Sequence, residues 1–503
     1  MQNSTTALPN STAQFKTALV IFAGGMNLIF VQWVLVRELT TLLLGTELVV
    51  LLVSVSYFAG LSLGYRLSGV VRRSWLLPIA LLTLVMHLAL PIWFRLLVVG
   101  LDALNAFPLT FVLLPLLTPF VVSAPYSIFL PLFVDSGEGS LQRLYTIELL
   151  GAMAGVLTLV ALGGLGIQAV YAVYTLGVVL IVGGLGANRK AWLLSAAIGV
   201  TGALWLAALP TLNYWSNALW YVQLRHLPAG TITLFSGYSP YQKVDVLEAP
   251  DGSRYLYLDG LQHYDPGDGS RLNVIMGSVP GYLVHPQNAL VIGAGSMEMA
   301  RFLAFFSGQV TTVEIDPMVV DASTRYLDAV NWMSRLTNRT IIIDDAKHYI
   351  ANSQARYDLV ATDTPAAFTI QTATLYSEPF FAEIAAHLNP GGVFVVNLTS
   401  SFGADSLVSR RIAAGLLPHF ADIIVVTSGS AGWSFAYASD DLPFDRAALE
   451  EALRNQDETE YAIFEMPAIR AIVADAAPIT LDSMDIVLHI SADYVRGRLG
   501  LDD

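Results

Sequence analysis

The residues of this chain best suited to chemistry are a glycine turn and a set of acids, each at the end of an apolar run. In NALVIGAGSM (288–297), the run 289–292 reads as a buried parallel strand that enters Gly293 and Gly295. A G-x-G turn of this kind lets backbone approach a ligand closely. A second run, TTVEID (311–316), carries Glu314, nineteen residues after Gly295. That is where a nucleotide-binding α/β fold holds ribose hydroxyls. The third glycine of the dinucleotide fingerprint is missing, because its position is Glu298, so NAD and FAD are disfavoured. A bare G-x-G also serves helix–strand packing alone, and the turn needs support from its neighbours.

That support comes from the runs that follow. TIIIDDA (340–346) ends in paired acids, and ARYDLVATD (355–363) ends in Asp363. GGVFVVNLTS (391–400) reads as a fifth strand, and ADIIVVTS (421–428) with WSFAYAS (433–439) as a final pair. Helical-length segments separate the earlier strands. The pattern predicts a seven-stranded sheet of the S-adenosylmethionine-dependent transferase kind, a Rossmann-like α/β fold. Acids at the ends of strands two, three and four would face one crevice.

What must hold this domain is unusual. The chain has 503 residues, 54% hydrophobic and only 13% charged. The apolar residues are concentrated before residue 210. Spans are expected near 18–36, 48–70, 76–99, 108–134, 145–165, 167–187 and 191–209, each able to cross a hydrocarbon core of about 30 Å. The first run is too long for a signal peptide and is followed by further spans. A net charge of −14 excludes a nucleic-acid footprint, and the absence of cysteine removes thiolate chemistry, disulfides and Cys-ligated metal. Gly60-x-x-x-Gly64 and Gly151-x-x-x-Gly155 offer small faces for close helix packing. Ser62, in a G-x-S-x-G string, is not a nucleophile, because it falls inside a span rather than on a strand-to-helix elbow. Arg37 and Glu38 end the first span, either as a buried functional pair or as an interfacial one. Pro115, Pro119, Pro125 and Pro131 should kink or break the fourth segment.

Topology raises a conflict. Arg66, Arg72 and Arg73, then Arg143, then Arg189 and Lys190 follow alternate spans, so the positive-inside rule puts these loops in the cytoplasm. Seven spans would then leave the C-terminal half outside, away from S-adenosylmethionine. An eighth crossing or a re-entrant piece, in 76–134 or elsewhere, would restore the cytoplasmic side, which is the placement expected here. The aromatic segment 213–227 suits a helix at the membrane interface, and 231–264 shows short alternating runs broken by Pro-Asp-Gly. The expected organisation is a tail over 1–16, a transmembrane helical bundle over 17–210 and an interfacial linker helix over 211–230. A β-hairpin cap over 231–285 and a Rossmann-like nucleoside-binding transferase domain over 286–503 complete it.

With these residues in view, the chain resembles the membrane-anchored branch of the polyamine aminopropyltransferase (spermidine synthase-like) family. WVLVRELTTLLLG and LYTIELLGAMAG resemble that branch in the bundle. SPYQKVDV, YLYLDG, ALVIGAG, VEIDP, IDDAKHYI, YDLVATD, LYSEPFF and LNPGGVFVVN follow in family order. The resemblance implies roles. Gly293 and Gly295 lie beneath the nucleoside, Glu314 binds ribose hydroxyls, and Asp345 with Ala346 receives adenine. Asp363 is the catalytic acid that acts as base or anchor for the attacking amine, a nucleophile only when unprotonated. The co-substrate would be decarboxylated S-adenosylmethionine or S-adenosylmethionine, with no metal.

The departures from the family are informative. Ser296 stands where an Asp normally holds the donor's amino group. Ala366 stands where a second acid normally follows the catalytic one, and Arg271-Leu272-Asn273 replaces a Tyr-His-Glu segment. Gln262 falls two residues after Gly260 rather than three, and His263 takes the third position. A diamine is dicationic and needs paired anions, so these losses predict poor activity with putrescine. Asp265, Asp268 and Glu298 are candidate replacements. His263 and His348 lie near the crevice and are candidates for catalysis or for structure. Gln371, Thr372 and Tyr376 belong to the segment after strand four that in this family closes over the site, where substrate contact and loop packing are both open.

The leading expectation is a membrane-bound aminopropyltransferase-like enzyme acting on a small-molecule amine. It would sit in a lipid bilayer, the bacterial inner membrane, with a homo-oligomer left open. Two alternatives stand beside it: another S-adenosylmethionine-dependent reaction, by methyl transfer or donor cleavage, and a non-catalytic membrane sensor or transport module.

Overall fold

Long apolar runs close their backbone hydrogen bonds within helices. The N-terminal half of the chain accordingly folds as α1 (Ser11–Leu42), α2 (Leu48–Leu67), α3 (Leu76–Leu88), α4 (Leu90–Ala103), α5 (Leu114–Ser127), α6 (Phe129–Asp135), α7 (Leu141–Leu162), α8 (Ile167–Leu185) and α9 (Arg189–Leu224). These come from a computed structural model, which describes residues 11–43, 45–106, 109–162, 166–185, 189–267, 269–293, 295–362, 364–429, 433–456, 458–482 and 485–491. The chain divides into two units, Met1–Leu44 with Val49–Lys243, and Gly45–Leu48 with Val244–Asp503.

In the first unit, prolines set the breaks. Pro91 lacks an N–H and its ring crowds the carbonyl four residues back, so the expected 76–99 span stops at Leu88 and resumes as α4 at a bend of 65°. Pro131 acts in the same way at the α5–α6 junction. Helix α9 runs on to Leu224, so the aromatic segment expected as a separate interfacial helix is its last part. Both glycine motifs are close-packing faces. A Cβ on Gly60 or Gly64 would run into the carbonyl of Phe120 or Ala124 on α5, and one on Gly151 into that of Phe22 on α1.

Arg37 and Glu38 are not partners, because neighbouring positions on a helix do not face each other. Glu38 is buried against Arg95 of α4, with Nε–Oε2 at 2.9 Å and Nη2–Oε1 at 2.7 Å. Asn213 Oδ1 (2.8 Å) and the Tyr238 hydroxyl (2.9 Å) accept from the same guanidinium. Arg37 instead donates to three consecutive carbonyls, Ser239 (3.1 Å), Pro240 (2.7 Å) and Tyr241 (3.0 Å).

Side-chain bonds distinguish the two ends of this bundle. At one end Arg73 pairs with Glu138, and Arg143 bonds Gln14. At the other, Gln223 bonds Asp102. Helix α3 starts at the first end and α4 finishes at the second, so the bent pair crosses the bundle once. Among the described residues six helical stretches, α1, α2, Leu109–Asp135, α7, α8 and α9, are long and apolar enough to cross a membrane, and the bent pair makes a seventh when it is counted as one span. The chain leaves the bundle at the end away from α1's N-terminus.

Strand β1 (Ile232–Tyr238) packs on α9. In the second unit, β2 (Lys243–Glu248), β3 (Arg254–Leu258) and β4 (Leu261–Tyr264) form an antiparallel meander. The expected cap does not stay β to its end: α10 (Gly269–Asn273), a π turn and α11 (Val279–Val284) follow. Then come β5 (Asn288–Ile292), α12 (Glu298–Phe306), β6 (Gln309–Glu314), α13 (Pro317–Tyr326), α14 (Asp328–Asn331), β7 (Arg339–Ile343), α15 (Ala346–Asn352) and β8 (Tyr357–Thr362). The remainder is α16 (Ile370–Ala373), α17 (Glu378–Ala386), β9 (Leu388–Asn397), α18 (Leu407–Leu416), β10 (Asp422–Ser428), β11 (Ser434–Ser439), α19 (Arg446–Arg454), β12 (Tyr461–Phe464) and α20 (Met466–Ile472).

The sheet has eight strands rather than seven, in the order β12-β10-β11-β9-β8-β5-β6-β7. The unexpected member is β12, four residues paired to β10. Alternation fills both faces: Leu290 and Ile292 pack into one apolar layer, Ala289 and Val291 into the other. Strands β5, β6 and β7 build outward one way, and β8 and β9 the other. The order therefore reverses between β5 and β8, and the carboxyl ends at such a reversal are where open α/β sheets take ligands.

Candidate functional site

Four adjacent parallel strands, β8, β5, β6 and β7, meet at this reversal, and β5, β6 and β7 each lead into one expected site element. Strand β5 opens into Gly293 (φ +87°) and Gly295 (φ +45°), with Met297 (φ +65°) leading into α12. Side chains rarely adopt the left-handed region, which is the reason for glycine at the first two positions. The turn is tied down from outside. Gly293 N–H donates to Val313 O at 2.9 Å, Ser323 Oγ to Gly295 O at 2.6 Å, and Asn331 Nδ2 to Ser296 O at 2.9 Å. Ser296 itself is buried, and its Oγ accepts from Glu298 N–H at 3.3 Å.

Strand β6 ends on Glu314, which is buried. Its Oε1 accepts the Asp316 N–H at 2.9 Å, and its carbonyl accepts the Asp344 N–H at 3.0 Å. After β7, Asp345 is the N-cap of α15, with Oδ1 accepting from Lys347 N–H at 2.8 Å and His348 N–H at 3.4 Å. Both bonds fall on Oδ1, so Oδ2 is the atom suited to an adenine amine. Ala346 begins that helix. His348 is exposed and is held at Nδ1 by both oxygens of Asp344, at 3.0 and 2.8 Å.

Strand β8 ends on Thr362, fully buried, with its Oγ1 lacking a hydrogen-bond partner. Asp363, the expected catalytic acid, comes next and lies outside the described residues, as do Asp268 and Ala294. The following segment is fastened by Tyr376, whose hydroxyl donates to Thr364 O (3.0 Å) and accepts from Thr364 Oγ1 (3.2 Å). Tyr376 is buried and so anchors this segment, whereas Gln371 is exposed on α16. Thr369 and Thr372 form the capping box of α16.

The amine side differs from the glycine side. Gln262 is exposed on β4, its Nε2 donating to Asp265 Oδ2 at 2.8 Å, while Asp265 Oδ1 accepts from Gly267 N–H at 2.6 Å. Glu298, a candidate replacement acid, is buried against Arg301 (3.0 Å) and Asn273 (3.1 Å), so its charge is already met. Burial, with the Glu298 charge adding to it, pushes the Tyr264 hydroxyl up to about 12. Burial holds the His263 imidazole down to about 4, so it is neutral at physiological pH. Among the described residues, His, Asp and Glu do not gather in any group of three or more suited to a metal.

Comparison with known proteins bears on the second unit. A spermine/spermidine synthase domain matches residues 272–421. Polyamine aminopropyltransferase 1 of Aquifex aeolicus is 25% identical over 256 residues, covering 48% of this chain and 90% of that protein. The polyamine aminopropyltransferase of Thermoplasma volcanium is 29% identical over 250 residues, covering 46% and 88%. Putrescine N-methyltransferase 2 of Nicotiana attenuata is 30% identical over 186 residues, covering 36% and 49%. The crystal structure of spermidine synthase from Thermotoga maritima aligns with a TM-score of 0.38 at 22% identity, covering 54% of this chain and 88% of that one. The chain thus carries a spermidine synthase domain with polyamine aminopropyltransferases among its homologues, and is an aminopropyltransferase-like enzyme.

Proposed function

We propose that the second unit transfers an aminopropyl group from a decarboxylated S-adenosylmethionine-type donor to a small amine. The observation that carries this reading is the convergence of Gly293, Gly295, Glu314, Asp345 and the β8 end at one strand-order reversal, inside the matched domain. Glu314 would hold the ribose, Asp345 Oδ2 and Ala346 the adenine. The amine's lone pair attacks the methylene carbon bonded to the sulfonium. That C–S bond breaks, its electron pair returns to sulfur, and methylthioadenosine leaves. The amine proton passes to Asp363. Calorimetric titration of the full chain tests the reading: the decarboxylated donor should bind more tightly than S-adenosylmethionine.

A second reading, methyl transfer from S-adenosylmethionine, is favoured by one feature. Ser296 offers no charge to a donor amino group, and Glu298 is already paired with Arg301 and bonded by Asn273. Tighter binding of S-adenosylmethionine would select it.

We also propose that the first unit is embedded in a bilayer with seven crossings. Support comes from the bonds at each end of the bundle and from loop charge. Arg72, Arg73 and Arg143 lie at the end that holds α1's N-terminus, while the connections 43–47, 104–108 and 163–166 carry no Lys or Arg. By the positive-inside rule the basic end is cytoplasmic. The C-terminal unit then works on the other face, unlike the cytoplasmic placement expected from the sequence. On this placement the donor is a nucleoside delivered to that face, and the reaction is preceded by its export or release.

A further inference from the structure

Four residues of the connection between α1 and α2, Gly45–Leu48, belong to the C-terminal unit. The Glu47 N–H donates to Phe368 O at 3.1 Å. Gly45 (φ +71°) lies against the β3–β4 turn, where a Cβ on it would stand 3.7 Å from Asp259 Cβ, and Thr46 between them is buried. This short piece therefore joins the turn before Gln262 to the segment that leaves the β8 end. Phe368 also closes a tight turn, its N–H bonding Ala366 O at 2.6 Å.

Ala366 is the position where the catalytic acid loses its expected companion. The inserted piece brings an acid to the same turn. Glu47 is half-buried, and among the described residues its carboxylate makes no hydrogen bond or ion pair. A diamine needs one anion near the attacking nitrogen and another for the distal ammonium. We propose that Glu47 supplies the second, making it a specificity-determining residue for a cationic acceptor. The inference rests on the group-transfer reading above.

The test is equilibrium binding of putrescine to the full-length chain in saturating methylthioadenosine, with Glu47→Gln beside the unmodified protein. Losing a charge-assisted bond should weaken putrescine about 10- to 100-fold, while methylthioadenosine affinity and melting temperature stay unchanged. Ala366→Asp added to Glu47→Gln should restore much of the loss. Equal putrescine affinity with and without Glu47 overturns the inference and leaves group transfer standing. So does a loss matched by weaker methylthioadenosine binding, because Glu47 is then structural. An unmodified protein that binds methylthioadenosine but no amine overturns both.

Discussion

Arg95 reaches Glu38 with two nitrogens, at 2.9 and 2.7 Å, inside a bundle where both side chains are buried. The pair links α1 to α4, and Arg95 Nη1 and Nη2 extend it to Asn213 and Tyr238. Removing one partner leaves an uncompensated buried charge, which costs about 3–5 kcal/mol. Arg95→Leu should therefore lower the unfolding temperature of the full chain sharply. The double replacement Glu38→Leu with Arg95→Leu should be milder than either single one. Equal damage from the double change would show that the pair is not what couples these helices.

The crossing number predicts where two engineered cysteines react. The chain has no cysteine of its own, so any introduced thiol is unique. Asp251→Cys lies in an exposed turn of the C-terminal unit, and Gln142→Cys near the basic end of the bundle. In intact cells an impermeant maleimide should label the first, and reach the second only after permeabilisation. Labelling on the same face contradicts seven crossings; the reverse pattern contradicts the charge argument alone.

Nucleoside binding separates two carboxylates with different structural duties. Glu314→Ala should weaken methylthioadenosine by about 1–3 kcal/mol. Asp345 also caps α15, so Asp345→Ala should cost about 1 kcal/mol of stability. Asp345→Asn keeps a capping oxygen and isolates the loss of ligand contact. Unchanged affinity in both Glu314→Ala and Asp345→Asn would remove the crevice from consideration.

The strand ends were legible because each parallel strand is an apolar run closed by a glycine or an acid. Gly293, Glu314 and Asp345 could be read off one at a time. The glycine faces of α2 and α7 were legible for a similar reason, since small residues four apart mark one helix side. What escaped were pairings that no local pattern encodes. Glu38 finds Arg95 fifty-seven positions away, and Glu47 meets Phe368 across most of the chain. Tyr376 could not be assigned between substrate and packing until its hydroxyl was seen bonding Thr364. Strand β12 is four residues of mixed character, too short to show a period.

Acid should weaken the fold through His263. Its folded pKa of about 4 lies below the ordinary value of about 6.5. The unfolded chain thus binds the extra proton first as pH falls. The contribution is intact above about 6.5, drains away on the way down to about 4 and then levels off. His263→Gln should flatten melting temperature over that window. A profile identical to the unmodified protein's would mean that His263 ionises freely in the folded state.

The most direct measurement is product formation by the purified full-length chain. It would be supplied with decarboxylated S-adenosylmethionine and a panel of amines and read by mass spectrometry. The expected products are methylthioadenosine and an aminopropylated amine. Turnover with putrescine should be poor, and Asp363→Asn should cut the rate about 10²–10⁴-fold while nucleoside binding survives. No aminopropylated product with any amine, despite intact methylthioadenosine binding, would contradict it.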